Sequence, residues 1–143
     1  MSIHVLVIDD DPVARRLLQV ALEDMGCRIT AVGEASEGRL AVARQMPDLV
    51  FLDLMLGEAS GLDLLRELLA ERTDLWVVLV TAHGAIDTAV EAMRRGAKDY
   101  LTKPFTGEQI RLLVEQALER KRLVLQVADL EGRLRSEVPG TDL

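Results

Sequence analysis

The chain has 143 residues, 49% of them hydrophobic, which suits one folded core and excludes a disordered chain. Aromatics make up only 3%, so the core must be aliphatic. The net charge of −7 arises in residues 1–118, with 12 basic and 19 acidic side chains, while residues 119–143 balance at five and five; such an acidic body excludes nucleic-acid binding through its bulk field.

Strands and helices alternate along the chain. Ile3–Ile8 is a β-rich run that ends in Asp9, Asp10 and Asp11. Asp11 suits an N-cap and Pro12 the first turn of a helix, which runs to about Met25 with Val13, Leu17, Val20 and Ala21 on one face. Gly26 stops it. Cys27–Val32 is a second strand, less apolar than the others and so expected at an edge. Cys27 itself is the only cysteine, which excludes an internal disulfide and any cysteine-built metal site, and it reads as a small core or edge residue. An alanine-rich second helix spans about Ala35–Met46, and Pro47 ends it.

PDLVFLD (Pro47–Asp53) follows, a strand at Leu49–Asp53 apolar enough to be buried on both faces and closed by one carboxylate. After a loop at Leu54–Ala59, Ser60 and Asp63 match a capping box, and the third helix buries Leu62, Leu65, Leu68 and Leu69. Leu75–Val80 is a nearly all-apolar strand ending at Thr81. A fourth helix, about Ala85–Arg95, places Ile86, Ala89, Val90 and Met93 on one stripe, and Gly96 closes it. The short strand Asp99–Leu101 leads to Thr102, Lys103 and Pro104, and Thr106 with Gln109 caps a fifth helix.

That helix continues from Glu108 to about Leu134. Leu123, Val127, Leu130 and Leu134 are spaced 4, 3, 4, as the core positions of a heptad require, although Gly132 weakens the second heptad. The division expected is a globular domain at 1–120 and a helical, coiled-coil-like linker and tail at 121–143, with Val138–Leu143 a frayed end. No run approaches the roughly 20 apolar residues of a membrane span. The start, MSIHVLVIDD, lacks the charged segment of a secretory signal, so the cytoplasm is the default location.

Alternating strands and helices give an α/β fold, a doubly wound parallel sheet with helices on both faces. In such sheets ligands sit beyond the carboxyl ends of the strands, at the topological switch point. The polar residues that end strands are Asp9 and Asp10, Asp53, Thr81 and Lys103. If the first and third strands are neighbours, as in the common order 2-1-3-4-5, three carboxylates converge there. Their mutual repulsion calls for a proton or a cation. Oxygen donors without histidine or thiolate favour Mg²⁺ over zinc. Lys103 adds a point charge and Thr81 a hydroxyl donor, and Asp53 is left to attack a phosphoryl group in line. His4 reads as structural and His83 as a solvated loop residue.

At VLVIDDD (Val5–Asp11), PDLVFLD, VTAHG (Val80–Gly84) and GAKDYLTKPF (Gly96–Phe105) the chain resembles the receiver domain of bacterial two-component response regulators, over about residues 3–120. The run from Thr81 to Phe105 looks most like the N-terminal receivers of NtrC-type, sigma-54-dependent transcription activators. The resemblance implies a flavodoxin-like five-stranded fold and a phosphorylation-controlled switch, not a metabolic enzyme. It implies that a histidine kinase phosphorylates Asp53. It implies direct Mg²⁺ coordination by Asp10 and Asp53, coordination through water by Asp9, and a ligand in the Met55 carbonyl. Lys103 would pair with Asp53 and then with the phosphoryl group. Thr81 would move to bond that group, and Tyr100 would rotate inward after it. Lys103–Pro104 resembles the family's cis peptide.

Two departures stand out. Gly57 occupies a position that is proline in many members, and Ser60–Gly61 replaces an Asp-Gly pair. Met55 and His83 occupy the variable positions facing the phosphoryl group, and Met55 offers nothing to orient an attacking water, so slow autodephosphorylation is expected. The output is expected through helix four, strand five and helix five, by a homodimer formed on that face or through the linker, to a transcription-activating domain outside this chain. A stand-alone receiver, acting in a phosphorelay or binding a protein, is the alternative. A haloacid dehalogenase-type phosphatase is more remote. Asp9–Val13 reads D-D-D-P-V, near that family's motif, but no late acidic pair follows and Asp53 would have no role. A flavin-binding module lacks its phosphate loop after the first strand.

Overall fold

Residues 2–56, 59–82 and 86–137 are described by the computed structural model. In chain order the elements are β1 (His4–Ile8), α1 (Pro12–Asp24), β2 (Arg28–Val32), α2 (Ala35–Gln45), β3 (Leu49–Asp53), β4 (Met55–Leu56), β5 (Ala59–Ser60), α3 (Gly61–Glu71), β6 (Val77–Ala82), α4 (Ile86–Arg94), β7 (Asp99–Lys103) and α5 (Gly107–Glu137). The main sheet is parallel throughout and runs β2-β1-β3-β6-β7. That is the expected 2-1-3-4-5 order, because β4 and β5 form a separate two-residue antiparallel hairpin. The sequence showed this hairpin only as a loop.

Successive side chains of a strand point to opposite faces, and the central strands are apolar except at their ends, so both faces bury. Leu6, Ile8, Val50, Leu52 and Leu79 pack on one side against Val42 of α2, Leu64, Leu65 and Leu68 of α3 and Ala92 of α4. Val5, Val7, Phe51, Val78 and Val80 pack on the other against Leu18 and Leu22 of α1 and Ile110, Leu113 and Val114 of α5. Each leucine so buried stabilises the fold by about 2 kcal/mol. Edge strand β2 pairs only with β1 and nowhere becomes fully buried, as its composition predicts. Cys27 is half-buried beside the second core, and burial pushes its thiol pKa up, away from the thiolate.

Two helical faces differ from expectation. In α1 the core stripe is Ala14, Leu18 and Leu22; Val13, Leu17 and Val20 are exposed, and only Ala21 of the expected face packs inward. The two stripes are one residue apart and both apolar, so hydrophobicity cannot choose between them. The helix phase is set where the chain leaves β1, with the Asp11 carboxylate capping the Val13 N–H at 3.0 Å. Among the described side chains of α4 the buried ones are Ala89 and Ala92, while Val90 and Met93 are exposed. Alanines let a helix sit close to the sheet, which leaves the larger side chains on the flanks. The Ile86 side chain, Ala85, Gly57, His83 and the tail Val138–Leu143 lie outside the described residues.

Other local expectations hold. Ser60 Oγ accepts from the Asp63 N–H at the start of α3. Thr106 and Gln109 cap α5 reciprocally, at 2.9 and 3.2 Å. His4 is structural: its Nε2 pairs with Thr30 Oγ1 at 2.9 Å.

Helix α5 is 31 residues long and changes character midway. Ile110, Leu113, Val114 and Ala117 are core, whereas Leu123, Val127, Leu130 and Leu134 are all exposed. The helix leaves the body at a tethered point. Arg120 Nη2 donates to the Asp74 carbonyl at 2.9 Å, and Lys121 Nζ donates to Asp48 Oδ2 at 3.1 Å and to the Ser2 carbonyl at 3.3 Å. Lys98 and Arg120 both lie over the Trp76 ring, 5.5 and 5.6 Å from its centre.

Candidate functional site

Parallel pairing aligns the carboxyl ends of β1, β3, β6 and β7 on one rim. Three polar side chains are buried there, Asp9, Asp53 and Thr81, and among the described residues they are the only buried polar ones. A buried carboxylate is costly unless paired, so this rim works against stability. The register sets Asp53 beside Val80, one residue before Thr81, and Ala82 beside Lys103.

Lys103 Nζ lies 3.2 Å from Asp53 Oδ2 and 3.2 Å from Asp9 Oδ2, joining two strand ends 50 residues apart. Only the Asp53 contact has hydrogen-bond geometry. Asp9 Oδ2 is buried without a hydrogen-bond partner. The other oxygens are better served: Asp9 Oδ1 accepts from the Asp11 N–H at 2.9 Å, and Asp53 Oδ1 from the Met55 N–H at 3.0 Å. Burial, helped by the nearby Asp53 carboxylate, pushes the Asp9 pKa up to about 6, against the lowering pull of the Asp11 N–H and Lys103. For Lys103, burial pulls the pKa down, but Asp53 and Asp9 together outweigh it and leave the ammonium held more firmly than usual.

Carboxylate oxygens of Asp9, Asp10 and Asp53 lie within 4.8 Å of one another. Three such groups around one lysine leave excess negative charge, and one buried oxygen makes no hydrogen bond. A hard divalent cation with oxygen ligands matches this donor set. Asp10 is exposed and has no hydrogen bond among the described residues, so its carboxylate is available to solvent and to ligands.

The loop after Asp53 is held close to α3. Gly61 donates its N–H to the Leu54 carbonyl at 3.0 Å, and a Cβ on Gly61 would come within 2.5 Å of Leu54 Cα and 2.6 Å of the Asp53 carbonyl. Only glycine permits this approach, so the change of Asp-Gly to Ser60–Gly61 keeps the residue that matters. The Met55 side chain is 67% exposed beside the site. Thr81 Oγ1 makes one long bond, 3.4 Å, to the Ala82 carbonyl, which leaves the hydroxyl free to find a better acceptor. Tyr100, on the edge strand β7, is 44% exposed. The Lys103–Pro104 peptide is cis.

The rim thus brings Asp9, Asp10, Asp53, Thr81 and Lys103 together, as the strand ends imply. Sequence reasoning missed Arg15, whose Nη1 donates to the Asp9 carbonyl at 2.8 Å. Nothing in its spacing distinguishes it from Arg16, a solvent-facing neighbour.

Residues 5–115 match the family model described as the response regulator receiver domain. The alginate biosynthesis transcriptional regulatory protein AlgB of Pseudomonas putida is 41% identical over 139 residues, which is 97% of this chain and 31% of that protein. A crystal structure of NtrX from Brucella abortus superposes with a TM-score of 0.84 at 39% identity, covering 91% of this chain and 30% of that one. The isolated receiver domain of the same NtrX gives 0.78 at 39% identity, over 80% of this chain and 98% of that one. The chain spans about a third of the length of the first of these regulators.

Proposed function

The chain belongs to the response regulator receiver domain family, and from that premise we propose that Asp53 is its phospho-acceptor and that Mg²⁺ bound by Asp10, Asp53, Asp9 through water and the Met55 carbonyl is its cofactor. The observation that carries this reading is the pairing of Lys103 with both Asp53 and Asp9, in which the buried Asp9 Oδ2 has the ion-pair contact but no hydrogen bond. Bound there, the cation supplies the positive charge that three carboxylates and an incoming phosphoryl group require.

A carboxylate oxygen of Asp53 attacks phosphorus, forming the acyl phosphate O–P bond as the N–P bond of a kinase phosphohistidine breaks. Lys103 is then released from Asp53 to face a phosphoryl oxygen. The Thr81 hydroxyl, weakly engaged at 3.4 Å, exchanges its bond for one to the phosphoryl group. Tyr100 follows inward from the exposed edge of β7. The phosphatase alternative would make Asp9 the nucleophile and leave the Lys103–Asp53 pair without a task.

The test is labelling by a small acyl phosphodonor with Mg²⁺. The wild-type chain should gain one phosphoryl group and the Asp53→Asn variant none. Equal labelling of the two would sink the assignment.

Residues 1–120 form the receiver and 121–143 the linker in this reading. Val90, Met93, Tyr100 and Leu112 are exposed apolar residues on the α4–β7–α5 face, and Leu123, Val127, Leu130 and Leu134 are exposed beyond it. These surfaces support a homodimer that carries the switch to a transcription-activating domain, in a sigma-54-dependent regulator working in the cytoplasm with its histidine kinase. Sedimentation of wild type against Leu123→Asp/Leu130→Asp, with and without beryllofluoride, tests the linker part. Unchanged association would favour the α4–β7–α5 face, or the stand-alone receiver if no dimer forms at all.

A further inference from the structure

The Asp9–Asp10 peptide joins the residues that carry two of the three carboxylates; the peptide before it is tied to β2, and its own carbonyl is held by a side chain. The Asp9 N–H donates to the Val32 carbonyl of the edge strand at 3.1 Å. The Asp9 carbonyl accepts from Arg15 Nη1 at 2.8 Å. Asp10, by contrast, has no side-chain hydrogen bond among the described residues, so the direction of its carboxylate depends on that peptide plane. We infer that Arg15, seated against Gly33, is a positioning residue for the cation site: it fixes the Asp9–Asp10 peptide and so aims Asp10.

A second observation supports the seat. A Cβ on Gly33 would lie 2.9 Å from Arg15 Nη1 and 3.9 Å from the Asp9 carbonyl oxygen. Gly33, in the turn after β2, therefore vacates the volume that the guanidinium fills. Its φ is not in the left-handed region, so alanine fits the backbone there. The atom a methyl group would strike is the far end of a flexible side chain. Gly33→Ala should thus displace Arg15 from the Asp9 carbonyl at little cost to folding, and without changing any charge.

That property separates positioning from electrostatics. Arg15 is a cation near a cation site, and its charge alone opposes binding. If charge were its whole effect, Arg15→Gln would bind Mg²⁺ more tightly and Gly33→Ala would bind it as wild type does. Positioning predicts weaker binding in both variants, by about tenfold, the usual scale for losing an outer partner of a metal ligand. The double variant should be no weaker than the worse single one, because both substitutions break one contact.

This inference rests on the proposed cation site, so the experiment reads Mg²⁺ directly, by calorimetry on the unphosphorylated full chain. The Mg²⁺ concentration giving half-maximal labelling by an acyl phosphodonor is a second readout. Expected are a rise in both, a labelling rate at saturating Mg²⁺ within about twofold of wild type, and partial recovery in Arg15→Lys, which keeps a donor. Tighter binding in Arg15→Gln, wild-type binding in Gly33→Ala, or additive losses in the double variant would each overturn it. If Arg15→Gln fails to fold, Gly33→Ala and Arg15→Lys still decide. Wild-type protein that binds no Mg²⁺ would refute the site itself, a failure distinct from that of Arg15.

Discussion

The two rims of the sheet carry similar residues in opposite balance. At the amino end of the strands, Asp48 Oδ2 accepts from the His4 N–H at 2.9 Å and from Lys121 Nζ at 3.1 Å. Asp74 faces both Arg72 and Arg120 within 3.9 Å. At the carboxyl end, Asp9 and Asp53 share Lys103, Asp10 lies beside them, and a buried oxygen of Asp9 makes no hydrogen bond. One rim ties strands β1 and β3 and helix α5 together. The other holds a repulsion that Lys103 offsets only in part and that a proton or an added cation relieves. A fold tolerates such a cost where binding or chemistry requires it.

Removing one lysine from each rim should split them furthest apart. Lys103→Ala leaves Asp9 and Asp53 facing each other unpaired. Phosphoryl transfer should fall by about 100-fold, the scale of one lost electrostatic stabiliser. Metal-free stability should fall by about 2 kcal/mol, less than a fully buried pair would lose because Lys103 is a quarter exposed. Mg²⁺ should restore part of that stability. At the other rim, Lys121→Ala should cost about 1 kcal/mol and leave transfer unchanged. Denaturant titration with a labelling time course reads all four numbers. A transfer defect in Lys121→Ala would erase the contrast.

The pH dependence follows from the same imbalance. The Asp9 carboxyl is raised from its ordinary 3.8 to about 6 in the folded protein. A group raised in this way stabilises the fold fully below its unfolded value, and that contribution is lost as pH rises through its folded value. Metal-free stability should therefore decline between about pH 4 and pH 6.5, by on the order of 2 kcal/mol. Asp9→Asn should flatten the decline and leave the metal-free protein more stable at pH 7. Saturating Mg²⁺ should flatten it too, since the ionised form is then the bound one. Melting curves across that range would refute the assignment if wild type and Asp9→Asn ran parallel.

The active rim was legible in the sequence because a buried strand cannot easily hide an acid. Asp53 and Lys103 stand out against LVFL and DYLT, and the order of a doubly wound sheet brings them together. The satisfied rim was not legible. Asp48, Asp74, Arg120 and Lys121 look like ordinary surface charges until the strands and α5 are assembled. Arg15 escaped for the same reason, since its partner is a backbone carbonyl, which no side-chain pattern records. The face of α1 was misassigned because Val13, Leu17 and Val20 are as apolar as the stripe that packs. In α5 the opposite held: its length and the 4, 3, 4 spacing were clear, and the structure adds that the spaced residues are uncovered.

The smallest effect is expected at Met55, within the active rim yet outside its charge balance. Its N–H donates to Asp53 Oδ1, a bond that any non-proline residue retains, while its side chain stands exposed. Substitution should therefore spare transfer and act only where a side chain near the acyl phosphate can matter, on the attacking water. Methionine cannot hold that water, whereas an amide can. One net hydrogen bond in the hydrolytic transition state, about 0.6 kcal/mol, shortens the lifetime about threefold. Met55→Asn should show this shortening in a decay time course, with unchanged labelling rate and Mg²⁺ affinity. An unchanged lifetime would mean that the water is ordered elsewhere. A slower labelling rate would mean that the side chain, as well as the backbone, belongs to the strained rim.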